Sequence, residues 1–168
     1  MRAALLMLML SLLLGACGFH LRGEAAFALP FHTLYVKSAD QFAPFILELK
    51  RGIEADGVTI TDTPEQAQLT LHIVSESTDK QIMSLSASGR VLEYRLYYRV
   101  SFQAYDNRQR DWLAPDEITL RRDYSYDASQ VIAKEQEEAL LFQNMRSDAV
   151  HQMLRRLNHV KAPDEALR

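Results

Sequence analysis

The chain has 168 residues, a length that fits one ordinary domain. Its 19 Lys and Arg stand against 22 Asp and Glu, a net charge of −3, so a nucleic-acid binder with a strong basic excess is excluded. One cysteine excludes an intramolecular disulfide, and the five scattered histidines contain no zinc-helix pair.

From Ala3 to Leu14 the chain is apolar behind the single basic residue Arg2. This run is shorter than the about 20 residues that cross a bilayer as a helix, so it reads as the core of a secretory signal. It ends in Leu14-Gly15-Ala16-Cys17, small residues before a cysteine, which is the pattern of a lipobox. Residues 1–16 are therefore expected to be a lipoprotein signal peptide, and Cys17 the residue that takes a covalent lipid. Each acyl chain contributes about 0.8 kcal/mol per buried methylene, and several chains make the anchor durable. No cofactor or metal is expected beyond that lipid. Residues 17–31 lack clear periodicity and read as a lipidated tether, and the last eight, Lys161 to Arg168, as a flexible tail around Pro163.

Between them, residues 32–160 read as one α+β domain. His32 to Ser38 alternates as a short strand, with Leu34 and Val36 on one side. A helix follows, with Asp40 as a cap, Pro44 in the first turn and Asp56-Gly57 at the end. Its apolar stripe is Phe42, Phe45, Ile46, Leu49 and Ile53. Leu69, Leu71 and Ile73 start a second strand running towards Leu85, and Ser86-Ala87-Ser88-Gly89 is turn-like.

The longest alternation comes next. Leu92, Tyr94, Leu96, Tyr98, Val100, Phe102 and Ala104 share one face, and Glu93, Arg95, Tyr97, Arg99, Ser101 and Gln103 the other. A strand that is apolar on one side and polar on the other belongs to an antiparallel sheet covered on a single face. Asp106 to Asp116 reads as a polar loop, Glu117 to Tyr126 as a further strand, and Ala128 to Asn158 as a long helix with Asp127 and Gln130 at capping-box spacing. The helix stripe holds Val131, Ala139, Phe142, Ala149, Val150, Met153 and Leu157. The order predicts a two-layer sandwich, a mainly antiparallel four-stranded sheet with two helices packed on one face. The other face, with Arg95, Tyr97 and Arg99, is left for water or a partner.

No clustered nucleophile and base, phosphate-cradling glycine loop or Gly-x-Ser-x-Gly elbow occurs, which argues against an enzyme and against a lipid-tethered periplasmic hydrolase.

The segment Cys17-Gly18-Phe19-His20-Leu21-Arg22-Gly23 resembles the start of the mature LPS-assembly lipoproteins, the LptE family. Gly89 with Glu93-Tyr94, Ala133-Lys134-Glu135 with Glu137, and Leu154-Arg155-Arg156-Leu157 add to the resemblance. Gly18 stands where an aspartate would retain similar lipoproteins at the inner membrane, so the resemblance implies the periplasmic face of the outer membrane. It also implies a partner, the LptD-type outer-membrane β-barrel that such proteins plug and help to assemble, and a ligand, lipopolysaccharide on its way to the outer leaflet. Lys134 matches a basic position that the family uses for this ligand, and Arg90 lies near another. Arg95, Tyr97 and Arg99 then become candidates for the barrel contact, since a barrel lumen is polar. The alternative is an auxiliary lipoprotein of a phospholipid transport system, which should lack the Gly-Phe-His-Leu-Arg segment.

Overall fold

The computed structural model describes residues 29–161. Cys17, the signal segment, most of the tether and the tail from residue 162 lie outside the described residues.

Fifteen residues of alternation put Leu96, Tyr98, Val100, Phe102 and Ala104 on one buried face of β4 (Val91–Tyr105). Around it stand β1 (Thr33–Lys37), β2 (Thr59–Ile60), β3 (Leu69–Leu85) and β5 (Asp111–Ser125), in the sheet order β2-β1-β3-β4-β5. Two helices, α1 (Pro44–Ala55) and α2 (Val131–Asn158), cover the buried face. From α1 come Phe45, Ile46, Leu49 and Ile53, and from α2 Met145, Ala149, Val150, Met153, Leu154 and Leu157. Leu29 and Phe31, ahead of the first strand, are also buried in this core.

The expected four-stranded, mainly antiparallel sheet is corrected to a mixed sheet of five. β1 pairs parallel with both β2 and β3, while β3, β4 and β5 form an antiparallel meander. The parallel pairing arises because α1 carries the chain back across the sheet between β1 and β3, a crossover that returns each strand in the same direction. β2 is only two residues long, too short to leave a periodic signal.

Three local corrections have physical reasons. Residues 111–116, expected in a loop, belong to β5. Pro115 is tolerated there because β5 is an edge strand and the register shifts at Ala114-Pro115, where no ladder donor is needed. Asp40 does not cap α1; its carboxylate accepts from Phe42 N–H at 2.8 Å ahead of the helix, and Pro44 opens the helix instead. Phe42 thus lies before α1 and is 82% exposed rather than part of its stripe. At the other helix, Asp127 caps a short 3-10 turn (Ala128–Gln130), and α2 begins at Val131.

β3 contains a device that alternation alone conceals. Its pairing with β4 shifts between Ile73 and Ser75, a bulge at Val74 that inverts the strand's parity. Leu69, Leu71 and Ile73 face the helices before it. After it, Glu76, Thr78, Lys80 and Ile82 lie opposite Val100, Tyr98, Leu96 and Tyr94 and share their helix-side face. Polar groups thereby enter the layer between sheet and helix in the half of the molecule beyond the core. In that half, residues 131–144 of α2 include none that is buried.

Candidate ligand-binding tip and open sheet face

The β3–β4 hairpin closes through Ser86 to Arg90. Ser86 N–H donates to the Arg90 carbonyl at 2.7 Å, and Gly89 N–H to the Ser86 carbonyl at 2.9 Å. Gly89 has φ of +78°, a left-handed conformation that a residue without Cβ takes at little cost. The Ser86 hydroxyl accepts from Arg90 N–H at 3.1 Å, and the Arg90 Nε–H reaches the Ser88 hydroxyl at 3.3 Å. Arg90 is thus held at the turn with its guanidinium exposed.

The end of β5 folds back to the same place, with Tyr126 N–H donating to the Leu92 carbonyl at 2.7 Å. Asp127 accepts from Ser129 N–H at 2.9 Å and the Ser129 hydroxyl at 2.8 Å. These bonds hold its carboxyl below the usual carboxylate range, and the positive fields of Lys134 and Arg90 add to them. Arg90 and Lys134, 44 positions apart in sequence, are thus both near enough for their charges to be felt at one carboxylate at the tip. Lys134 also pairs with Glu137 at 2.7 Å. Around these charges the chain exposes Ile82, Met83, Leu85, Leu92, Val131 and Ile132. Exposed large apolar side chains thus stand beside cations at this end of the molecule.

Just inside the tip lies a polar link between helix and sheet. Glu138 Oε2 accepts from Lys80 Nζ at 2.5 Å and from the Tyr124 hydroxyl. The Lys80 ammonium also stands 4.3 Å from the centre of the Tyr94 ring, which stacks on Tyr124 at 5.8 Å and meets Tyr126 edge-on at 5.1 Å. Burial disfavours the Lys80 charge, but its bonds to Glu138 and Tyr124 outweigh that and raise its pKa. Burial, then the bond to Glu138, pushes the Tyr124 phenol up to about 12. The alternation of β4 places Tyr94 on this face, but it does not indicate the link between Lys80, Glu138 and Tyr124. Its one available signal is the break in β3 alternation at Val74.

The opposite sheet face holds Arg95, Tyr97 and Arg99 together, as the alternation of β4 requires. Arg95 grips Asp123 on β5 with two bonds of 2.6 and 2.7 Å. Arg95 in turn holds the Asp123 carboxyl below its ordinary range. The Arg99 guanidinium lies 4.6 Å from the Tyr97 ring centre, and Glu117 accepts from Ser101 at 3.2 Å and Thr119 at 2.6 Å. This face is a flat array of paired charges with no core of its own. Arg95 is thus committed to an internal partner rather than free. Arg90 and Lys134 belong to the tip and not to this array.

The family model for lipopolysaccharide-assembly, LptE, matches residues 31–157. The chain belongs to the LptE family. Among curated family members, the LPS-assembly lipoprotein LptE of Yersinia enterocolitica is 29% identical over 168 residues, 98% of this chain and 80% of the relative. Among solved structures, an uncharacterized lipoprotein B from Nitrosomonas europaea has a TM-score of 0.71 at 34% identity, covering 84% of this chain and 90% of that one. The rare lipoprotein B from Shewanella oneidensis gives 0.67 at 27% identity, covering 75% and 93%. The two-helix, five-stranded architecture is thus shared with lipoproteins, and the family's role is lipopolysaccharide assembly. Among the described residues no helix is long and apolar enough to cross a membrane.

Proposed function

We propose that this chain is a lipid-anchored outer-membrane lipoprotein, held through Cys17 on the periplasmic face, that plugs and helps assemble an LptD-type β-barrel and binds lipopolysaccharide during its insertion into the outer leaflet. Family membership supports the assembly role. The observation that carries the ligand contact is the placement of Arg90 at the hairpin turn and of Lys134 in the first turn of α2, both within electrostatic reach of Asp127, beside exposed apolar side chains. Phosphates suit these cations, arginine through forked bonds and lysine as a point charge, and acyl chains suit the surrounding Leu and Ile. The open face of Arg95, Tyr97 and Arg99 supports the barrel contact, because paired charges and aromatic rings match a polar lumen.

The test is lipopolysaccharide binding by the full lipoprotein at physiological salt. Lys134→Glu is expected to weaken binding while the fold survives, since Lys134 lies outside the buried core and its ion pair is with the exposed Glu137. Unchanged binding in Lys134→Glu and in Arg90→Glu together would reject the tip as the ligand site.

A further inference from the structure

The ion pair between Lys80 and Glu138 lies where a ligand at the tip would next arrive. We propose that Glu138 is a displaceable stand-in for a ligand phosphate, so that Lys80 is a third cation of the anionic-amphiphile site, masked until a phosphate replaces the Glu138 carboxylate. This rests on the lipopolysaccharide reading of the tip and names the next residue along it.

Several observations converge on the pair. A single oxygen, Glu138 Oε2, accepts from both Lys80 Nζ and the Tyr124 hydroxyl. A phosphate offers several such oxygens and more negative charge, and can accept the same two donors through stronger charge-assisted bonds. Glu138 follows Lys134 by one helical turn, about 6 Å along the axis, so phosphates of one ligand can span both lysines. The restraint to be displaced is partly open to water: the two side chains are 35% and 22% exposed, so an acceptor of higher charge can reach the pair and replace the carboxylate.

The helix segment that would yield is also loosely held. None of residues 131–144 is buried, and only Leu141 and Phe142 pack partly against the core. Beneath it lie the rings of Tyr94, Tyr124 and Tyr126, and at its rim the exposed Ile82 and Leu92. Once Glu138 lets go, these surfaces form a floor on which an acyl chain can lie. A purely structural link would need neither the cation over an aromatic ring nor an apolar rim beside it.

The experiment compares Glu138→Gln and Lys80→Met in the full lipoprotein, titrated with lipopolysaccharide and with dephosphorylated lipopolysaccharide. Glutamine keeps the shape and the acceptor for Tyr124 but releases Lys80; methionine keeps the apolar stem without the charge. Glu138→Gln is expected to tighten binding about three-fold and Lys80→Met to weaken it about three-fold, the scale of one exposed charge interaction. The double variant should bind as Lys80→Met does, and dephosphorylation should abolish the difference. If both single variants weaken binding, or neither changes it while the wild type binds, Glu138 is a structural strut and the proposal falls alone. If the wild type binds no lipopolysaccharide, the ligand reading falls with it. Thermal unfolding of each variant separates lost affinity from lost fold.

Discussion

Gly52 on α1 sits so close to Leu154 on α2 that a Cβ added there would stand 2.8 Å from Leu154 Cδ1. The two helices meet at this point, and the missing side chain is what permits the approach. Because Leu154 is a flexible side chain rather than backbone, the contact can yield to a methyl group. Gly52→Ala should therefore leave stability near the wild type, the helix gain of about 1 kcal/mol offsetting the displacement of Leu154. Gly52→Val should cost about 1–3 kcal/mol, because a branched side chain forces the helices apart. Urea unfolding of the two variants measures the difference directly.

Asp106 organises the β4–β5 turn. Its carboxylate accepts from Arg108 N–H at 2.8 Å, Arg110 N–H at 3.0 Å and the Arg110 guanidinium at 2.8 Å. Burial alone would raise its pKa, but these bonds overcome it and hold the carboxyl below its ordinary value. A lowered folded pKa gives stability that is present above the unfolded pKa of about 4 and is lost as pH falls through the folded value. Asp106→Asn should thus cost about 1–2 kcal/mol at neutral pH and flatten the loss of stability below about pH 4. Unfolding midpoints across that range test the sign as well as the size.

The open face can be separated from the fold. Arg95 pairs with the exposed Asp123 and Arg99 lies over the half-buried ring of Tyr97, and neither arginine belongs to the buried core. The double variant Arg95→Ser, Arg99→Ser should keep its melting temperature and lose co-purification with the outer-membrane β-barrel. Full recovery of the barrel would assign the barrel contact to another surface.

Much of this architecture is legible in the residues, and the gaps have causes. The alternation from Leu92 to Ala104 marks β4 because its apolar side is buried from Leu96 to Ala104 while the polar side is not. Phe45, Ile46, Leu49 and Ile53 revealed α1 for the same reason at helical spacing. The parallel pairing of β1 was not legible, since five residues carry no mark of direction, and two-residue β2 carries no period at all. Pro115 read as a loop because its edge position, which excuses the missing N–H, is a tertiary fact. At the site, Arg90 and Lys134 are each visible as charges, but their common place at one end depends on how β5 returns to the hairpin. Lys80 and Glu138 are 58 positions apart, and the bulge at Val74 decides that Lys80 faces the helix. Sequence spacing says nothing of such a pair.

The proposed lipopolysaccharide contact at the hairpin tip can be captured in cells. The most direct measurement places a photo-crosslinking side chain at Leu85 or Leu92 at the tip, and at Glu54 near the far end of α1, in cells making the full lipoprotein. Lipopolysaccharide adducts are expected at Leu85 and Leu92 and not at Glu54. Adducts at Glu54 alone, or at none of the three, would contradict it.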